Sequence, residues 1–141
     1  SGDEYVDELF FMYKEDVDLS WRARLCGWKC VYTPDAVGWH YRTWGAGNRK
    51  NIAKWLRRHS LKNRYLMLLK NEQWRTIAPH IFSILWYELC SIGYILLREP
   101  YLFVVIGDIL RVWPAIMEKR KITQHKAIRR STPESMLAWF Q

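Results

Sequence analysis

Two apolar stretches, split by Arg98-Glu99-Pro100, constrain this chain more than any other feature. Residues 77–97 hold 15 apolar residues out of 21, and residues 101–116 are apolar apart from Gly107, Asp108, Arg111 and Pro114. Helices of this composition must be covered by protein or by lipid. The first stretch is just long enough to cross a bilayer, but Glu88 would then sit near its centre, at a cost of about 3 kcal/mol. The second is too short and carries an Asp and an Arg. Two helices lying in the membrane interface fit better, with Trp86, Tyr87, Tyr94, Tyr101, Phe103 and Trp113 at headgroup depth. The competing arrangement is a helical pair packed on the domain, its cations simply solvated.

Charge is distributed unevenly. Residues 1–20 carry seven acidic groups and one lysine, a balance of −6, whereas residues 21–141 balance at +14. The excess concentrates in residues 42–75, with ten Lys/Arg against one Glu, and in 118–130, with six against one. Such patches attract polyanions: nucleotide diphosphates, lipid phosphates or nucleic acid. An anionic membrane surface is the expected partner of the cluster from Lys119 to Arg130. Nucleic acid is not expected, because no recognised motif is present and the acidic N-terminal cluster would repel a phosphate backbone. Cys26, Cys30 and Cys90 are odd in number and match no zinc or redox spacing, so free buried thiols are expected.

A helix is expected from about Asp16 to Gly27. A carboxylate at its start accepts free backbone N–H groups, and the glycine ends it. Leu19, Ala23 and Cys26 form one apolar stripe, flanked by Trp21, Leu25 and Trp28; Arg22 is expected to pair with a nearby carboxylate. Cys30-Val31-Tyr32-Thr33 reads as a short strand ended by Pro34-Asp35, and residues 36–40 as a second extended piece. A loop over 43–50 and a long helix over about 51–70 follow. Ile52, Trp55, Leu56, Tyr65, Leu66 and Leu69 can share one face of that helix, with Arg57, Arg58, Lys62 and Arg64 on its basic side.

The run Phe10 to Arg24, containing Glu15-Asp16-Val17-Asp18-Leu19, is followed by Gly27-Trp28-Lys29, by Tyr32 to Val37, and by His40. Together with Arg58 to Asn71 it resembles bacterial family-2 glycosyltransferases of the rhamnosyltransferase-like kind. The resemblance is continuous from about residue 7 to 72. It implies an α/β fold: the C-terminal, acceptor-side portion of a GT-A (Rossmann-like) domain over 1–75, then a helical, amphipathic, basic, membrane-associated tail over 76–141. It implies an enzyme of cell-surface polysaccharide biosynthesis. A sugar would pass, with inversion, from a nucleotide-sugar donor to a glycan or lipid-linked acceptor at the cytoplasmic face of the membrane, where the protein is peripheral or monotopic.

Carried over residue by residue, Asp16 matches the catalytic base and Glu15 its partner. His40 matches a histidine that serves some members as a metal ligand; an ordinary hydrogen-bonding histidine at a strand end is the other reading. Arg42, Arg49 and Lys50 are candidates for contacts to the donor diphosphate, and Trp39 and Trp44 for the acceptor site. Each could equally be a solvated cation or a packing ring. A divalent metal (Mg or Mn) is expected only with a half that carries the Asp-x-Asp motif, which these residues lack outside Asp16-Val17-Asp18. The alternative function is a non-catalytic remnant or lipid-binding module without the donor-binding half.

Overall fold

A computed structural model of the chain describes residues 5–39 and 49–130. Five α-helices occur among them: α1 (Glu15–Leu25), α2 (Lys54–Asn71), α3 (Trp74–Ile77), α4 (Ile81–Arg98) and α5 (Val104–Arg130). Short 3-10 turns at Glu8–Phe10, Arg49–Asn51, Ala78–His80 and Pro100–Phe103 connect them. No strand is present among the described residues.

The expected α/β, GT-A fold is therefore not what these residues form: they are all-helical. The reason lies in residues 27–39, which are exposed throughout. A strand satisfies its backbone only against a neighbouring strand, and no described segment lies beside Cys30–Thr33 to pair with it. Val31 and Tyr32, at 85% and 88% exposure, gain nothing from burial there.

The helix starting near Asp16 does form. It begins at Glu15, and its end is a glycine-terminated cap. Gly27 adopts φ 83°, its N–H bonds the Arg24 carbonyl at 2.9 Å, and the Trp28 N–H reaches the Ala23 carbonyl at 3.0 Å. That pair of bonds is the Schellman arrangement, which satisfies two of the last carbonyls. The buried stripe differs from the expected one: Asp18 and Leu25 are buried with Trp21 packed beside them, while Leu19 is exposed. A buried aspartate has rotated the helix by about one residue.

Helix α2 lies alongside α5 and parallel to it. Arg58 bonds Asp108, Leu66 and Met67 pack on Ile116, Arg120 donates to the Leu69 carbonyl, and Gln124 to that of Asn71. The hydrophobic core joins Phe10, Leu66, Met67 and Ile116, flanked by Leu9, Leu69, Ile109 and Val112. Leu25 and Ala127 close a smaller cluster with Trp21, tying α1 to the far end of α5. Helix α4 returns antiparallel to α2, with Arg64 paired to Glu88 and Arg57 to Glu99.

The buried residues of α2 are Asn63, Leu66, Met67, Lys70 and Asn71, a regular i, i+3, i+4, i+7, i+8 stripe that is more than half polar. Trp55, expected on the apolar face, is 52% exposed. Helices α4 and α5 are hardly covered: 6% and 17% of their most apolar stretches are buried. By length and composition, Trp74–Arg98 and Pro100–Ala127 could each cross a membrane. Only a narrow face of α5, with Ile116 and Ala127, enters the core of the described fold, and α4 buries Ile95. The cysteines are free, but Cys30 and Cys90 are exposed and Cys26 only partly covered, so they are not buried thiols: Cys30 lies in the unpaired coil and Cys90 on α4.

Candidate functional site

The chain enters α1 through a turn that few sequences tolerate. Phe11, Tyr13 and Lys14 have φ of 58°, 67° and 67°, in the left-handed region, where non-glycine residues carry strain of about 1–3 kcal/mol each. Asn63 holds this turn from α2. Its Nδ2 donates to the carbonyls of Phe10 at 2.7 Å, Met12 at 2.7 Å and Tyr13 at 2.9 Å. A rigid, strained turn thus sets the orientation of the first residues of α1, Glu15 and Asp16.

The two aspartates of the motif have separate roles. Asp16 is exposed; its Oδ1 accepts the Val17 N–H at 2.8 Å, and its carbonyl accepts the Ser20 hydroxyl at 2.9 Å. Asp18 is fully buried. It receives Lys70 at 2.8 Å, Arg22 at 2.8 Å and Asn71 at 2.7 Å. Lys70, 2% exposed, also bonds Asp7 at 2.6 Å, and Asp7 takes Lys119 of α5 at 2.6 Å. Burial alone would push the Asp7 carboxyl up. Hydrogen bonds from Lys119 and Lys70 outweigh it and hold the group below its ordinary value. Asp18 therefore anchors α1, while the Asp16 side chain is open to solvent. Glu15 is half-buried, with Oε2 enclosed and without a hydrogen-bond partner.

The remaining sequence-derived candidates are dispersed. Trp39 is 99% exposed. His40, Arg42 and Trp44 lie outside the described residues, as does the side chain of Lys50. Arg49 pairs with Glu99 and lies over the Tyr94 ring, 5.4 Å from its centre. Glu99 also binds Arg57. Burial would raise the Glu99 carboxyl, but these two guanidiniums draw it below its ordinary value. Among the described residues no group of three or more His, Cys, Asp or Glu could hold a metal ion.

Two cavities are lined jointly by α2 and α4. One, of about 560 Å³, is lined by Lys14, Arg49, Arg57, Arg64, Tyr87 and Cys90, among others. The second, of about 640 Å³, is mainly apolar, with Leu68, Trp74, Ile84 and Trp113 in its wall. Arg64 and Tyr87 line both.

A 62-residue stretch is 40% identical to the N-acetylglucosaminyl-diphospho-decaprenol L-rhamnosyltransferase of Mycobacterium tuberculosis, in strains CDC 1551 / Oshkosh and ATCC 25618 / H37Rv alike. The match covers 44% of this chain and 19% of each relative, so the chain spans about a fifth of the length of the curated relatives it matches. No family model matches the chain, and no solved structure matches it. The similarity supports a relationship to glycosyltransferases.

Sequence reasoning missed Asp7, Asn63, Lys70 and Asn71 as site-building residues. The available signal was their register: Asn63, Lys70 and Asn71 fall on the same helical stripe as Leu66 and Met67.

Proposed function

We propose that this chain supplies the acceptor side and catalytic base of an inverting glycosyltransferase acting at a membrane surface. The observation that carries the reading is the division of labour in Glu15-Asp16-Val17-Asp18: Asp18 is locked in a buried ion-pair cluster, while Asp16 stands exposed behind a strained, clamped turn. Similarity to a rhamnosyltransferase supports the same chemistry.

The acceptor hydroxyl attacks the anomeric carbon of the donor, and the bond from that carbon to the nucleoside diphosphate breaks. The diphosphate leaves with the electron pair, and the hydroxyl proton passes to the Asp16 carboxylate. A carboxylate is a weak base toward an alcohol, so the proton moves late, once bond formation has made it acidic. Glu15 flanks the base. Trp39 and Trp44 contact the acceptor, and Arg42 and Lys50 the departing diphosphate. A divalent metal with His40 belongs to the donor side. The relative's name points to L-rhamnose as the sugar and to a diphosphate-linked N-acetylglucosaminyl lipid as the acceptor.

Association with the membrane is supported by the bare faces of α4 and α5. Helix α2 runs along both of them and carries Lys54, Arg57, Arg58, Lys62 and Arg64. A spanning hairpin would carry Arg64, bound to Glu88 midway along α4, to the bilayer centre, at about 2.5–3.5 kcal/mol for a charge there on insertion scales. It would also push Lys54 and Arg57, which lie by the α4–α5 turn, through to the far side. Helices lying in the interface of the cytoplasmic leaflet avoid that cost, with the basic end of α5 toward anionic lipid.

The test uses the chain within its full open reading frame, in membranes supplied with radiolabelled dTDP-rhamnose and a lipid-linked N-acetylglucosamine acceptor. Asp16→Asn is expected to lower turnover by a factor of about 10²–10⁴, the usual contribution of a general base, with donor binding retained. Unchanged turnover in that variant overturns the assignment.

A further inference from the structure

Helices α2 and α4 together line two cavities of different chemistry that share wall residues. The first presents Lys14, Arg49, Arg57 and Arg64. Glu99 neutralises one charge of the Arg49–Arg57 pair and Glu88 that of Arg64, leaving these four cations with a net of +2. The Nε of Arg57 is a buried donor with no hydrogen-bond partner. Lys14 is held in the wall by the Asn63-clamped turn, two residues before Asp16. Serines 60 and 91 add hydroxyls.

The neighbouring cavity, walled by Leu68, Leu69, Trp74, Ile77, Ile84 and Trp113, suits a hydrocarbon chain. Arg64 and Tyr87 belong to the walls of both, the guanidinium lying 5.0 Å from the centre of the Tyr87 ring at the boundary between them. A ligand that fills both has a compact dianionic head and an apolar tail. The head needs cationic donors in a fork, which arginines provide for phosphate oxygens.

We propose that the neighbouring cavities lined by α2 and α4 bind a prenyl diphosphate: the diphosphate among Lys14, Arg49, Arg57 and Arg64, the isoprenoid chain along Leu68, Ile84 and Trp113. The proposal rests on the reading of the chain as the acceptor side of a lipid-dependent glycosyltransferase. It adds the place where the acceptor's diphosphate sits, beside the turn that orients Asp16. It also reassigns Arg49 from the donor's diphosphate to the acceptor's. A nucleoside diphosphate has the same head chemistry but no tail for the apolar cavity. A bilayer phospholipid has the tails but a single phosphodiester charge.

Cys90 lines the cationic cavity and is exposed, which makes it a reporter that needs no catalysis. The experiment follows alkylation of Cys90 by N-ethylmaleimide in detergent, using the full chain with Cys26→Ser and Cys30→Ser. Saturating geranylgeranyl diphosphate is expected to slow alkylation at least fivefold. Geranylgeraniol, thymidine diphosphate and phosphatidylglycerol should each have less than a twofold effect. Arg49→Gln with Lys14→Gln should abolish the protection; Glu99 keeps Arg57 in that variant, and helix content by circular dichroism checks its fold. Absence of protection by geranylgeranyl diphosphate overturns the site, as does equal protection by the alcohol, the nucleotide or the phospholipid. Asp16-dependent sugar transfer without protection of Cys90 would sink this site and leave the enzymatic reading standing. Protection without transfer would do the reverse.

Discussion

Replacing Lys70 by methionine tests the buried cluster that orients α1. The ammonium is 2% exposed and bridges two fully enclosed carboxylates, Asp7 at 2.6 Å and Asp18 at 2.8 Å. Methionine approximates its length, so little cavity forms and the effect is electrostatic. Asp7 keeps Lys119, and Asp18 keeps Arg22 and Asn71, so each carboxylate retains one partly exposed cation and loses the buried ammonium that bridges the two. Losing two hydrogen bonds between charged groups costs about 1.5–3 kcal/mol each. Set against a typical domain stability of about 5–15 kcal/mol, that is a large fraction. Urea unfolding followed by far-UV circular dichroism in mild detergent should show it as a lower midpoint. In an Asp7→Asn background the same change should cost less, with a coupling of about 1–3 kcal/mol between residues in contact. A loss below about 1 kcal/mol, or strict additivity, would show that Lys70 does not lie between the two carboxylates.

Other outcomes follow from the same geometry. Asn63→Ala should cost about 1–3 kcal/mol by freeing three carbonyls at once, and should open the Phe11–Lys14 turn to limited proteolysis; an unchanged digestion pattern would refute the clamp. Asp7 and Glu99 are held below their ordinary values of 3.8 and 4.5. The unfolded chain therefore takes up protons first as pH falls, and stability is full above about pH 5 and drains away as the pH drops through those values toward the lower folded ones. Thermal midpoints that stay flat from pH 7 to 3 would contradict this.

Much of α1 was legible in the sequence because its signals are local. The acidic start, the glycine stop and the Arg22–carboxylate pair each need only neighbouring residues. The extended segment at 30–33 misled for the opposite reason: Cys30-Val31-Tyr32-Thr33 has strand composition, but a strand exists only through a partner, and none lies beside it. The α/β expectation came from the family resemblance, and composition offered no means of correcting it. Asn63 and Lys70 stayed hidden because a polar residue in a helix reads as solvent-facing. Their burial depends on Phe10, Asp7 and Asp18, which lie about fifty to sixty residues away. Exposed Asp16 and buried Asp18 are chemically identical in the motif; separating them required knowing where Lys70 is.

The arginines of the 49–64 region and the acids of the apolar helices form a lock whose two halves come from different stretches of the chain. Glu88 engages Arg64, Glu99 engages Arg49 and Arg57, and Asp108 engages Arg58. During synthesis the basic half leaves the ribosome first and waits for its counterparts. The greasy helices are consequently not a transplantable anchor: grafted onto another protein without α2, they would bring three unmatched negative charges to the lipid.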